Sequence, residues 1–519
     1  MEENSQVIRY DKYSKNILLV SPPDLFTAVF PAGIGHIAAM LNKKGFRVKI
    51  IDFVNKKSSL DLINAVIKEI KIYKPFAIGL TGLSHNYLWL KSFTEAIKSQ
   101  CELCIIAGGH WASHIPDFIL NNTGVDFVVR GEGDYTVIEL CDALLEDGCW
   151  DEIAGISFKR ENEIIHTKDR PLIKNLDELP NPSYELFDMS SYVVPFDLKR
   201  AYIDKQTIPG AIREKLKRNE PLLSMATQTG RGCTGRCMFC TGENQVYRKK
   251  SPELLIEHIN LLKEKYKVDV ILFKEALTFI NNKWAHEFCN LLIKESPGIL
   301  YECICRIDSI DQELLELLKE SGCFSIQFGI ESGDEGMLTD IMNKKITVSQ
   351  IKESIKLCNK YKIYPSGGFL IGLPGETISS LNNTLRLIKN IKVVETGVAF
   401  ATPYPGTTLF KLAIEKYGLR REEIVPDPHL KGYGVYGATI EEQYEFLRKY
   451  NFSNVHPVVL RLYHYLISAL IGVNRHYLNE RMLKYYFSIM VFLLFKLPRA
   501  IVRCIKEYFQ FKPAAKRET

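Results

Sequence analysis

Apolar, β-rich runs alternate with helical periodicity along the first 150 residues. The strand-like runs fall at 16–20 (NILLV), 48–52 (VKIID), 77–81 (AIGLT), 103–109 (LCIIAGG) and 127–131 (FVVRG). Helical patterns occupy 35–44, 60–72, 87–99, 115–122 and 134–146. This alternation predicts a doubly wound parallel sheet whose ligands sit beyond the carboxyl ends of the strands. A second alternation follows, with strands predicted at 222–230, 268–276, 300–308, 323–333, 364–377 and 395–407. Ser251-Pro252-Glu253 opens one intervening helix, with a proline at the first helical position and an acid in the first turn. Thr347 with Gln350 forms a capping box for another, and a third spans about 377–391. Six strand–helix units predict a partial (β/α)6 barrel, open on one side. Between the two arrays, 151–220 reads as a bridge: a short hairpin or edge segment, a proline-broken stretch and a charged, partly helical end. The remainder, 411–519, carries apolar aromatic helical patterns at 456–473 and 482–509, with Pro498 kinking or ending the second. The fold class is therefore α/β: an N-terminal sheet domain (1–150), a bridge (151–220), a central partial barrel (221–410) and a mainly helical C-terminal region (411–519).

Composition adds limits. A chain of 519 residues with 46% hydrophobic and 25% charged residues is ordinary globular material. The net charge of +6 makes no general case for nucleic acid. That charge is uneven, because residues 455–519 alone carry +8. Two readings of this basic, apolar tail stay open: a helical subdomain packed on the barrel, or a face lying on an anionic membrane, which would favour a lipid substrate. No apolar run reaches the roughly 18–20 residues of a spanning helix. Thirteen cysteines follow a polar start, so the expectation is a reducing, cytoplasmic setting without disulfides, peripheral to a membrane if the tail binds one.

The chemistry concentrates at GRGCTGRCMFC, residues 230–240. Cys233, Cys237 and Cys240 are spaced C-x3-C-x2-C, and no fourth cysteine follows nearby. Three thiolates suit three corners of a 4Fe-4S cubane and leave one iron open to a substrate. A zinc site more often has two C-x2-C pairs. Cys101-x2-Cys104 enters a strand, not a helix, and reads as structural. Period two in the strand at 300–308 puts Glu302, Ile304 and Arg306 on one face and Cys303 and Cys305 on the other, so a second cluster is not expected.

In the first domain, Thr81-Gly82, Gly108-Gly109-His110 and Gly131-Glu132-Gly133 each follow a strand directly. Glycines there let a ligand approach the backbone, or make plain tight turns. Gly33-Ile34-Gly35-His36-Ile37-Ala38 matches G-x-G-x-x-A, but the strand ends near Val20 and a long loop intervenes, so dinucleotide binding is not favoured.

The cysteine spacing, with Phe239 before the last cysteine, resembles the radical S-adenosylmethionine superfamily, and the flanks resemble its cobalamin-binding branch. FPAGIGHIAAMLNKKGFRVKIID, IIAGGHWASHIPDFIL and VDFVVRGEGDYTVIEL carry the second likeness, and the resemblance as a whole covers roughly residues 16–410. The resemblance implies a [4Fe-4S] cluster, S-adenosylmethionine and cobalamin as cofactors. It implies that the open iron chelates S-adenosylmethionine, which an electron from the cluster cleaves to a 5′-deoxyadenosyl radical. Cobalamin contacts would come from Thr81, His85, Gly108, Gly109, Gly131 and Glu132. The D-x-H-x-x-G motif is absent, so no protein histidine is expected below cobalt. Contacts to S-adenosylmethionine would come from Phe239, Glu275, Arg306, Glu331, Ser332, Gly372 and Tyr404. At the second strand, relatives often carry Asp-Asp; here Lys274-Glu275 departs from that pattern.

The implied activity is methylation of an unactivated carbon of a small-molecule or lipid substrate, fed by an external one-electron reductant of flavodoxin or ferredoxin type. A cyclising, rearranging or oxidative reaction with the same cofactors is an alternative. So is a radical enzyme whose first domain binds substrate without cobalamin. A methylthiotransferase would need further cluster cysteines, and Cys101, Cys104, Cys141 and Cys149 are poorly spaced for that.

Overall fold

A computed structural model describes residues 8–9, 14–24, 29–56, 60–146, 148–197, 208–241, 246–295, 298–393, 396–427 and 440–477. The chain divides into two compact units, Met1–Tyr192 with Tyr404–Leu430, and Val193–Pro403 with Lys431–Thr519.

The first unit contains β1 (Ile8–Arg9), β2 (Asn16–Asp24), β3 (Arg47–Val54), β4 (Ala77–Leu80), β5 (Cys101–Glu102), β6 (Cys104–Ala107), β7 (Phe127–Val129), β8 (Ile156–Arg160) and β9 (Glu163–His166). Seven of them form one sheet in the order β3-β2-β4-β6-β7-β8-β9. The five from β3 to β7 run parallel, and β8 and β9 are antiparallel additions at one edge. Numbered by appearance, the parallel strands run 2-1-3-4-5, a doubly wound order whose switch point lies between β2 and β4. Ile17, Leu18, Val20, Ile78 and Ile105 are fully buried, as strands covered on both faces require. Burying each such side chain contributes about 1.5–3 kcal/mol. The intervening helices Ala32–Lys43, Leu60–Tyr73, Tyr87–Lys98, Pro116–Asn122 and Gly133–Leu145 lie within a few residues of their predicted places. Cys101 and Cys104 stand in the core at β5 and β6, where burial pushes both thiols up.

The stretch read from sequence as a bridge divides differently. Its hairpin is β8–β9, paired to β7, and belongs to the first sheet. Residues up to Tyr192 remain with that unit because the backbone returns across it: Ser183 N donates to Gly35 O at 3.1 Å, and the Tyr192 hydroxyl bonds the Asp52 carboxylate.

The second unit contains β10 (Val194–Phe196), β11 (Leu222–Thr227), β12 (Gly230–Arg231), β13 (Arg248–Lys249), β14 (Val270–Phe273), β15 (Leu300–Cys305), β16 (Cys323–Glu331), β17 (Tyr364–Ile371) and β18 (Thr396–Phe400). The sheet order is β10-β11-β14-β15-β16-β17-β18, with six parallel strands and β10 antiparallel at the edge. This is the six-stranded partial barrel. The predicted strands overran these ends by several residues, because their last residues turn into loops at the carboxyl edge, where parallel barrels place their sites. Thr347 and Gln350 form the capping box of helix Val348–Lys360. Helix Pro252–Tyr266 starts where expected, although the Ser251 side chain does not cap it. Cys303 and Cys305 are buried on the helix side of β15, with Cys303 Sγ 3.7 Å from Cys323 Sγ.

Helices Ile440–Lys449 and Pro457–Tyr477 close this unit. The second lies against β18, where His464 Nε2 is 2.9 Å from Val398 O, and Tyr463 donates to Asn382 Oδ1 at 2.7 Å. These two helices are thus packed on the barrel, whereas residues 411–427 group with the first unit. Pro498 and the 482–509 pattern lie outside the described residues. Among the described residues, no helix is long and apolar enough to cross a membrane.

Candidate active site

The three cysteines sit in a loop that leaves β11 and returns through β13. Its ends are zipped by the β12–β13 ribbon, with Gly230 opposite Lys249 and Arg231 opposite Arg248. Gly230 is obligatory, since a Cβ there would lie 2.2 Å from Arg248 O. Within the loop, Cys240 N donates to Cys237 O, Met238 N to Met342 O, and Asn343 Nδ2 to Arg236 O. Cys237 is buried, Cys233 half-buried and Cys240 exposed. Gly235 forms the floor between the thiols: a Cβ on it would lie 3.6 Å from both Cys233 Sγ and Cys237 Sγ, and 2.8 Å from Arg306 Nη1. The pair of sulfurs around a side-chain-free residue is a cradle that suits a bulky inorganic cluster. Among the described residues, no three His, Cys, Asp or Glu side chains are grouped to hold a single metal ion; the sulfurs that meet around Gly235 are those of Cys233 and Cys237.

Arg306 follows β15 and closes one wall. Its Nε and Nη2 donate to both Asp308 oxygens at 2.9 Å, and Nη2 also donates to Lys344 O at 2.8 Å. A polar cleft of about 380 Å³ opens beside it, lined by Thr234, Asn281, Arg306, Asp308 and Asp311 among others. Glu331 ends β16 with φ +66°, a left-handed backbone that is costly for a side-chain-bearing residue. Its carboxylate is 3.3 Å from Lys344 Nζ. Gly329 makes room for this pair, because a Cβ there would fall 2.5 Å from Glu331 Oε1 and 2.7 Å from Lys344 Nζ. Burial pushes the Cys237 thiol up, and the Lys344 cation pulls it back.

Lys344 is a site residue that sequence reasoning missed. Nothing in NKKIT separates it from Lys345. The backbone does: Asn343 and Lys345 both adopt left-handed φ, so Lys344 turns inward and is buried while Lys345 is exposed.

The remaining expected contacts to S-adenosylmethionine divide. Phe239 is half-buried between Met238 and Cys240. Gly372 ends β17 at φ +88°, its N–H held by Glu376 Oε2. Ser332 is fully buried, with its hydroxyl 3.3 Å from Thr384 Oγ1 and accepting from Asp334 N, so it faces a helix and not the barrel mouth. Glu275 likewise lies off the lumen. Strand parity turns Lys274 inward to Glu302 Oε1 at 2.5 Å and Glu275 outward, beneath the cysteine loop. Tyr404 groups with the first unit, where its carbonyl caps the turn at Thr407.

In the first unit the expected ligand residues gather at the carboxyl ends of β4, β6 and β7. Gly109, at φ +94°, brings those ends together: its Cβ position is 3.3 Å from Thr81 Oγ1 and 3.5 Å from Gly82 O. Gly108 lies beside Val129. Gly131, at φ +73°, has open space where a side chain would be, and its N–H donates to Ser113 Oγ. Gly109 draws the strand ends together, and Gly131 leaves beside them a bare ledge of backbone that suits a large planar cofactor. His85 occupies the single turn Ser84–Asn86. Glu132 faces elsewhere, accepting Ile173 N at 2.8 Å. His110 and His114, on the helix that starts after Gly109, stack with centroids 6.4 Å apart. Burial lowers both imidazoles below their ordinary value. The G-x-G-x-x-A stretch has a packing role. A Cβ on Gly35 would lie 2.8 Å from Pro182 Cβ, and Asp52, the acid that could have read a ribose, is held by Tyr192.

A loop of three cysteines on the first strand of a six-stranded half-barrel, preceded in the chain by a 2-1-3-4-5 sheet with glycine-lined strand ends, defines a cofactor-dependent radical enzyme class. Residues 227–388 match the Radical SAM superfamily and residues 26–141 match the B12 binding domain. The chain carries a radical S-adenosylmethionine domain and a B12-binding domain; it is an enzyme whose cofactors are a [4Fe-4S] cluster, S-adenosylmethionine and cobalamin. It is 29% identical over 413 residues to an uncharacterized methyltransferase of Pyrococcus horikoshii, covering 77% of this chain and 83% of that one. Cytidylyl-2-hydroxyethylphosphonate methyltransferase of Streptomyces wedmorensis is 24% identical, with 79% and 84% covered. The anaerobic magnesium-protoporphyrin IX monomethyl ester cyclase of Rubrivivax gelatinosus is also 24% identical, with 78% and 71% covered. Among solved structures, the radical S-adenosylmethionine methyltransferase TsrM from Kitasatospora setae, with cobalamin and [4Fe-4S] cluster bound, superposes with TM-score 0.62 at 17% identity, covering 78% of this chain and 76% of that one. The cobalamin-dependent S-adenosylmethionine radical enzyme OxsB, with aqua-cobalamin and S-adenosylmethionine bound, gives 0.62 at 18%, covering 93% and 75%.

Proposed function

We propose that this protein is a cobalamin-dependent radical S-adenosylmethionine methyltransferase that methylates an unactivated carbon of a small molecule or lipid. The observation that carries the reading is the coexistence, in one chain, of the Gly235 cradle between Cys233 and Cys237 and the bare ledge at Gly109 and Gly131. When bound, the cluster supplies the electron that cleaves S-adenosylmethionine, and cobalamin supplies the methyl group.

The protein's own residues then have separable tasks. Cys233, Cys237 and Cys240 would hold the cluster. Lys344 offers a buried cation beside the cluster for the carboxylate of the methionyl group, and Glu331 an anion for its amino group. Phe239 and the Gly372 turn flank the adenine. Thr81, His85, Gly108, Gly109 and Gly131 hold cobalamin. An external one-electron donor of flavodoxin or ferredoxin type reduces the cluster.

A second reading, cyclisation with the same cofactors, is favoured by the cyclase relatives of similar identity. One experiment separates them. The protein is reconstituted anaerobically with iron, sulfide and hydroxocobalamin, then reduced with S-adenosylmethionine and a cell extract, and products are read by mass. Deoxyadenosine, S-adenosylhomocysteine and a product heavier by one methylene are expected. Deoxyadenosine without S-adenosylhomocysteine, in protein that has bound cobalamin, rejects methyl transfer.

A further inference from the structure

We propose that Glu275 and Lys249 are positioning residues that fasten both ends of the cysteine loop, and that Glu275 acts on the cluster from beneath and makes no contact with S-adenosylmethionine. The proposal rests on the cluster reading of Cys233, Cys237 and Cys240.

The pair is almost completely enclosed, with side-chain exposures of 5% for Lys249 and 4% for Glu275. Every oxygen of the carboxylate is engaged. Oε2 accepts from Thr229 N at 2.6 Å and Gly230 N at 2.9 Å; Oε1 accepts from Thr229 Oγ1 at 2.6 Å and Lys249 Nζ at 3.1 Å. The ammonium is equally committed, donating also to Thr229 Oγ1 at 2.6 Å and Leu277 O at 2.8 Å. All three of its protons thus have acceptors. Its Nζ lies 4.9 Å from the centroid of the Tyr247 ring and 5.5 Å from that of the Trp284 ring.

Position gives this pair its consequence. Thr229 and Gly230 enter the loop, Lys249 leaves it, and Glu275 follows β14, the neighbouring strand. One carboxylate therefore holds the entry backbone and the exit side chain together. The exit is secured further by Tyr247 OH to Thr278 O, Trp284 Nε1 to Lys250 O, and Lys250 N to Thr229 O. Such a pair is costly to break singly, because the surviving partner is left charged and buried. Gly230, whose N–H the carboxylate holds, stands three residues before Cys233 in the chain. Cluster potentials follow local net charge, so the two halves of the pair pull in opposite directions.

The test compares parent, Glu275→Gln, Lys249→Met and the double variant after anaerobic reconstitution of the full chain. Three readouts are taken: iron lost to a chelator with time, cluster midpoint potential by redox titration, and affinity for S-adenosylmethionine per loaded cluster. Each single variant is expected to lose iron at least about fivefold faster than parent, and the double variant more slowly than either, as for a buried pair removed together. The potential is expected to rise in Glu275→Gln and to fall in Lys249→Met. Affinity per loaded cluster stays near parent. Parent-like iron retention and potential in Glu275→Gln, or a loss confined to S-adenosylmethionine affinity, overturns the proposal. Should that variant be insoluble, Thr229→Val removes one bond to the carboxylate and must also speed iron loss; unchanged loss then overturns it. A parent chain that takes up no iron removes the cluster reading, and the proposal with it, whereas failure of the pair alone leaves parent uptake intact.

Discussion

Gly235 shows how much of this site turns on single atoms. Its missing side chain leaves the space between two thiols and the Arg306 guanidinium. Gly235→Ala is expected to fold, since the atom its methyl group meets most closely is the end of the Arg306 side chain, yet to take up severalfold less iron and sulfide, measured per chain after reconstitution. Glu376 makes a second prediction at this scale. Burial raises its carboxyl to about 7 from an ordinary 4.5, with Gly372 and Leu373 N–H groups opposing the shift. The folded state then keeps a proton that the unfolded chain releases between those values. Stability contributed by this group is present below the ordinary carboxyl range and is lost as pH rises through 7. Glu376→Gln should therefore gain thermal stability relative to parent at pH 8 and lose that advantage near pH 5, read by melting at both. The residue scale is also where sequence reading was weakest. The spacing of Cys233, Cys237 and Cys240 is visible in the string, but the inward turns of Lys274 and Lys344 depend on where a strand ends and on two left-handed residues. Ser332 and Glu275 drew attention by resemblance, yet their side chains are committed to Thr384 and to the cysteine loop.

Elements were far more legible, because hydrophobic periodicity averages over many residues while site geometry does not. All six parallel barrel strands and five helices of the first unit stand close to where the pattern put them. Capping chemistry was legible too. The Thr347 hydroxyl accepts Gln350 N at 3.1 Å, and Gln350 Oε1 accepts Thr347 N at 2.8 Å. Thr347→Ala should cost about 1 kcal/mol in denaturant unfolding of the barrel unit, without altering iron content. A cost near zero would mean that packing of Ile351 and Ile355, and not the cap, sets the start of this helix. What periodicity could not give was allegiance. The β8–β9 hairpin alternates like any edge segment, and only its pairing to β7 assigns it to the first sheet.

At the scale of the molecule, the cysteine loop and the glycine ledge lie on units that each have their own sheet and core. That separation predicts independence. Cys237 is buried at the base of the loop, and its thiol, raised by burial, must release its proton to bind iron. Cys237→Ala removes a ligand that no neighbouring cysteine can replace, since Cys303, Cys305 and Cys323 are buried on the helix side of the barrel. The variant is expected to hold little iron and to form deoxyadenosine only at background. The ledge at Gly109 and Gly131 is built from the strand ends of the first unit and Ser113, so cobalamin uptake, followed by its visible absorbance, should equal that of parent. Deoxyadenosine at parent level would refute the cluster assignment outright. Loss of both cofactors together would instead show that the units do not fold independently, and the division of labour argued from their separate sheets would fail.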